Sequence, residues 1–144
     1  VGKNHTGTAA TTELRNGIIR AGTLSVGEKI RVIATGTLTG TLGQKTLAIR
    51  CKGASNRGVT FPDTTEGAFT LSIEITIVKT SGGSTPSQVI SGEVFCGTDF
   101  GTVFAAENAV LDDNDYDLRL VGKLFNGGDQ IDVETFRIEY CWPK

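Results

Sequence analysis

The run FTLSIEITIVKT, Phe69 to Thr80, decides the fold class. Phe69, Leu71, Ile73, Ile75 and Ile77 occupy every second position, and Thr70, Ser72, Glu74 and Thr76 lie between them. Successive side chains of a strand point to opposite faces, so this period of two predicts a long β-strand with one buried face. The same period recurs on both sides. Ile30, Val32 and Ala34 share a phase in KIRVIATGTL, and Leu47, Ile49 and Cys51 share one in KTLAIRCKG. Val89 to Phe95 reads as a strand after the loop SGGSTPS (Ser81–Ser87), and Thr102 to Leu111 as a weaker one. Leu118, Leu120 and Leu124 mark the next, interrupted by Gly122. No window carries a helical stripe.

The last strand changes phase. Ile131 and Val133 lie in one phase, and Phe136, Ile138 and Tyr140 in the other. A period-two strand buries both sets on one face only if a residue is inserted, which predicts a β-bulge near Glu134–Thr135 or a change of sheet there. Strands separated by Gly, Asn, Asp, Ser and Pro, with no helices, imply an all-β antiparallel sandwich or barrel. A chain of 144 residues suffices for one core. An antiparallel jelly-roll β-sandwich of about eight strands is the natural architecture at that length.

Residues 1–16 (VGKNHTGTAATTELRN) are polar and small and do not alternate. They are expected to form an extended N-terminal arm or linker that cannot offset its own ordering entropy, with the β-sandwich domain over 17–144. If the arm is ordered, a neighbour holds it. Its His5, Thr6, Thr11, Thr12 and Leu14 are then candidate partner contacts.

The chemical equipment is sparse. Net charge is −2, which leaves no basic footprint for nucleic acid or an anionic membrane. The apolar runs are too short to span a bilayer as a helix, and no signal-peptide pattern starts the sequence. Met is absent, so Val1 is expected to follow processing or trimming. Cys51, Cys96 and Cys141 lie far apart, with no CxxC pair. They read as small hydrophobes in strands of a protein folded in a reducing compartment; one disulfide with a free thiol is the other reading.

His5, the single histidine, sits in the arm, where it has no cleft to work in. Asp113, Asp115 and Asp117 have the alternate spacing of a calcium loop, but Leu118 and Leu124 replace the Gly and Glu that such a loop needs. A solvated turn explains the same residues. The pairs Glu13/Glu28 and Asp129/Asp132 could form a glycosidase couple, yet nothing singles them out. The SGGS and NGG pieces lack phosphate-binding spacing. No metal and no cofactor is expected. Most of the Phe residues look like core, whereas Trp142 suits a subunit interface. Ile33, Val78, Val121 and Phe125 lie opposite the best core stripes and join Trp142 as candidate oligomer-interface residues. Packing in a second layer is the alternative reading for them.

Ile19-x-Ala21-Gly22-Thr23-Leu24-x-Val26-Gly27-Glu28-x-Ile30-Arg31-Val32-x-Ala34-x-Gly36 resembles the opening pattern of small virion structural proteins of tailed bacteriophages. Lys45-Thr46-Leu47-x-Ile49, the Phe69–Thr80 strand and Asp132-Val133-Glu134-x-Phe136-x-Ile138-Glu139-Tyr140 follow in the same order. The resemblance spans about Ile18 to Tyr140 and departs in the DDNDYD loop and the short C-terminus. It implies a jelly roll of tumour-necrosis-factor-like shape, commonly trimeric, used as head decoration (cement), head fibre or tail component. On that basis the expectation is a non-enzymatic virion protein, assembled in the host cytoplasm. It would bind the major capsid protein or another virion protein through its arm and one sheet face. The competing expectation is a carbohydrate- or receptor-binding module for a host-surface glycan. The loops Lys52–Pro62, Ser81–Ser87 and Asp112–Asp117 would then converge at one end. Such a shared fold would not by itself fix the function.

Overall fold

The computed structural model describes residues 5–6, 11–19, 26–52, 55–79, 86–108 and 116–141. They form β1 (His5–Thr6), β2 (Thr11–Ile19), β3 (Lys29–Thr39), β4 (Lys45–Cys51), β5 (Asn56–Phe61), β6 (Gly67–Lys79), β7 (Pro86–Cys96), β8 (Asp99–Asn108), β9 (Tyr116–Leu124) and β10 (Gln130–Cys141). One sheet has the order β1-β10-β3-β6-β7-β8, the other β2-β9-β4-β5, and every pairing is antiparallel. The all-β sandwich expected from the periodicity is what the chain forms.

The core is the inner face of both sheets. Ile30, Val32, Ala34 and Leu38 of β3 meet Phe69, Leu71, Ile73, Ile75 and Ile77 of β6 on one wall. Leu47 and Ile49 of β4 meet Leu118, Leu120 and Leu124 of β9 on the other. The turn at Val26–Gly27 is tied to β6: Gly27 N–H donates to the Ile77 carbonyl at 2.7 Å, and Ile77 N–H to that of Glu28 at 2.9 Å. Gly27 has a φ of 93°, which glycine adopts without strain.

The β10 bulge falls where the phase change puts it, with a register shift between Val133 and Thr135. Ile131 pairs with Leu38 before it, and Phe136 and Ile138 pair with Ala34 and Val32 after it. Both phases of β10 thereby turn toward the same core. Gly36 makes room, because a Cβ there would lie 1.9 Å from the Asp132 carbonyl oxygen and 2.6 Å from the Phe69 ring.

Two sequence expectations are corrected. Thr11–Asn16 is not an arm: it belongs to β2, which pairs with β9 along its length. Leu14 and Ile19 are both buried although they differ in parity, because β2 bulges between Glu13 and Arg15. Gly122 gives Leu14 its place, since a Cβ there would lie 2.8 Å from Leu14 Cδ1. The bulge conceals the strand from a period-two reading. His5 and Thr6 pair with Ile131 and Gln130. The second correction is that Lys52–Pro62 is not one loop, since Asn56–Phe61 forms the edge strand β5.

Leu14→Ala is expected to destabilise the chain by about 2–5 kcal/mol, as large-to-small changes in a packed core do. Thr11→Ala on the exposed side of the same strand should cost less than about 0.5 kcal/mol. Urea midpoints of the two variants check this, and equal small shifts would mean that β2 adds nothing to the core.

Candidate interaction surface

Both ends of the sandwich interior hold polar groups. At the end formed by the turns after β3, β5 and β9, Lys45 is fully buried. Its Nζ donates to the main-chain oxygens of Thr65 at 3.0 Å, Asp63 at 3.1 Å and Gly43 at 3.4 Å. Asp129 Oδ2 lies 3.9 Å away. The Asp129 carboxylate accepts the N–H groups of Leu42 at 3.1 Å and Gly43 at 2.8 Å. The Thr65 hydroxyl donates to Asp99. Each charge is matched by fixed dipoles of the turns, so this pair fastens loops together.

At the other end, Tyr116 of β9 donates its hydroxyl to Gln88 Oε1 of β7, bridging the sheets. Cys51 lies beside Tyr116, and burial pushes its thiol up to about 12. Burial, with Cys51 next to it, also raises the Tyr116 phenol. Glu107 of β8 accepts from Arg57 Nε of β5 at 2.8 Å. These groups are neutral or paired and hold the two sheets in register.

The carboxylate pairs that could have formed a glycosidase couple have other partners. Glu13 accepts from Arg119 at 2.9 Å on the outside of one sheet, while Glu28 precedes β3 in the other. Asp129 is held by Lys45 and the turn, and Asp132 accepts from Gln130. Of the calcium candidates, Asp113 and Asp115 lie outside the described residues. Asp117 sits on β9, where Arg119 Nε donates to it at 2.7 Å. Among the described residues no group of His, Cys, Asp and Glu could hold a metal ion. Cys51 and Cys96 are buried free thiols, and Cys141 is a half-buried one.

The interface candidates do not share a surface. Ile33 and Val78 are half-buried on the outside of the six-stranded sheet. Val121 belongs to the other sheet, buried beside Ala48, and Phe125 follows the end of β9, exposed under the Lys123 ammonium, 4.5 Å from the ring centre. Of the proposed arm contacts, Leu14 is core, Thr12 is half-buried and Thr11 is exposed. Trp142 lies outside the described residues.

Another surface emerges from the strand pairing. Phe95 of β7 and Phe100 and Phe104 of β8 point outward, with exposures of 45%, 64% and 76%. The Phe95 and Phe100 rings stack with centres 5.7 Å apart. A depression of about 510 Å³ beside them is lined by Ser72, Ser91, Glu93 and Thr102. Reading most Phe residues as core is therefore corrected: these three and Phe125 are exposed. The inner phase of β8 is Gly101, Val103 and Ala105, because β5 crosses there and a Cβ on Gly101 would lie 2.4 Å from Val59 Cγ1. The more apolar phase is thus left outside. A sequence signal existed, since Phe100 and Phe104 share a phase with Thr102, but only the position of β5 tells which phase faces in.

The rest of that outer face is charged and internally matched. Lys29 and Arg31 reach Glu74 at 3.1 Å and 3.5 Å, and the Lys29 hydrogen bond lowers the Glu74 pKa. Arg137 reaches Glu139 at 3.1 Å.

The chain matches no protein-family model, no curated protein and no solved structure. The surface must speak through its chemistry. Contiguous exposed aromatic area marks an interaction site, and among the described residues the charged pairs found inside the sandwich fasten loops and sheets.

Asp129→Ala should cost about 3–5 kcal/mol, because it strips a buried lysine and two N–H groups of their acceptor. Arg137→Ala, on the exposed pair, should change stability by less than about 1 kcal/mol. Thermal denaturation of the two variants makes the comparison. A second expectation concerns alkali. The folded state holds the Cys51 thiol neutral up to about 12, above its ordinary value of 9.0, so the unfolded chain releases that proton first. The stabilisation is fully present below pH 9 and is lost as pH climbs toward 12. Cys51→Val, of similar volume, should flatten the fall in melting temperature across that window, and an unchanged slope would exclude Cys51 as its source.

Proposed function

We propose that this chain is a non-enzymatic structural subunit of a bacteriophage virion, a capsid decoration (cement) or fibre-type protein that joins its neighbours through its sheet surfaces. The observation that carries the reading is the outward-facing Phe95, Phe100 and Phe104 on an unbroken antiparallel strand pair. The ionisable groups found inside are meanwhile engaged in holding loops and sheets. Such a body offers contact area rather than chemistry.

The strand order supports a jelly roll. Read without β7 and β8, the sheets are β1-β10-β3-β6 and β2-β9-β4-β5, eight strands in two four-stranded sheets. The β7–β8 hairpin is then an insertion that widens one sheet and carries the aromatic surface. This arrangement agrees with the resemblance to tailed-phage virion proteins. The resemblance also supplies the homotrimer and the major capsid protein or another virion component as partners.

A host-glycan module is the second reading. It is favoured by the Phe95–Phe100 stack beside the hydroxyls of Ser72, Ser91 and Thr102.

An antibody raised against the chain tests the first reading on particles purified from the source sample. Regular gold labelling on heads or tails in electron micrographs is expected. Particles that stay unlabelled, with the chain confined to the soluble fraction, would overturn it.

A further inference from the structure

We propose that β8 is a self-pairing edge, through which two copies of this chain join into one continuous sheet about a two-fold axis at Thr102. This inference stands on the edge geometry and does not depend on the virion reading.

Among the described residues, β8 has β7 on one side and no strand on the other. Proteins protect such an edge with lysine, proline, a bulge or brevity. DFGTVFAAEN runs ten residues without Lys or Pro and pairs with β7 without a register shift, and its two charges, Asp99 and Glu107, lie in the inner phase, engaged by Thr65 and Arg57. The edges of the other sheet are protected: β2 is bulged, and β5 is a six-residue strand carrying Arg57.

The sequence of β8 is symmetric where it matters. Phe100 and Phe104 lie two positions on either side of Thr102, all on the outer face. In an antiparallel pair centred on Thr102, Phe100 of one copy falls opposite Phe104 of the other, and Thr102 meets its own equivalent. Gly101 then opposes Val103, and Asp99 opposes Ala105, so no like charges face each other across the axis. Phe95 already stacks on Phe100, so each side of the axis gains a row of three rings. Opposed aromatic pairs stabilise antiparallel strands, and a two-fold contact needs only one self-complementary patch.

The area is adequate in kind. With about 200 Å² for a fully exposed phenyl side chain, the exposures of Phe100 and Phe104 amount to some 560 Å² over two copies. Specific interfaces begin near 1,200 Å² in total, and the edge backbone and Phe95 supply further contact. Gly101, Val103 and Ala105, facing inward, leave β5 on the far side of β8, away from the aromatic face.

Sedimentation of the full chain across micromolar concentrations, with cysteine cross-linking, tests the register. The wild type should sediment as an even number of chains. Phe104→Lys, at a highly exposed position, should halve that mass with an unchanged far-ultraviolet spectrum. In a Cys141→Ser background, Thr102→Cys should oxidise to a covalent dimer, because opposed strand residues lie within disulfide reach. Ala106→Cys should not, because its two copies would be about 27 Å apart along the strands. A monomer or a bare trimer, or equal cross-linking by both variants, overturns β8 pairing and leaves the virion reading standing. Cross-linked Thr102→Cys dimers alongside unlabelled particles would remove the virion reading and leave the edge intact.

Discussion

Each sheet has a strongly apolar face, and those faces can leave water only against each other. Everything else in the fold serves that closure. The β6 stripe from Phe69 to Ile77 is buried along its length, with β3 beside it and the β4–β9 pair across from it. Strand twist and uneven sequence would spoil this match, and the two bulges repair it. One shifts β10 so that Ile131 and Phe136 serve the same core, and the other brings Leu14 in beside Ile19. Gly36 and Gly122 stand where the repaired strands come closest to their neighbours.

Closing a sandwich also traps polar groups at its ends. The chain answers differently at the two ends. Lys45 and Asp129 meet main-chain dipoles of the turns, which converts an expensive buried pair into a fastener for three loops. At the other end, Tyr116 with Gln88 and Arg57 with Glu107 bridge the sheets. A structural role accounts for the contacts of both.

The outer surface is divided in the same physical terms. Over β10, β3 and β6 the charges satisfy one another, leaving little net field to steer a partner. Over β7 and β8 the phenyl rings of Phe95, Phe100 and Phe104 stand beside the hydroxyls of Ser91 and Thr102, with Glu93 as the acidic group there. Water is displaced cheaply from the second region and not from the first, which is why an assembly contact belongs on the hairpin side.

The fold class was legible because period two is local. Phe69–Ile77, Ile30–Ala34 and the phase change in β10 each announce themselves within a few residues. β2 and β5 were not legible, since a bulge breaks the period in one and NRGVTF has too few apolar positions in the other. The site was hidden for a deeper reason. Sequence determined that Phe100, Thr102 and Phe104 share one face of β8 and that Gly101, Val103 and Ala105 share the other. Only the tertiary structure decided which face turns in. β5 approaches so closely at Gly101 that no side chain fits between them, and this sends the phenyl rings to solvent.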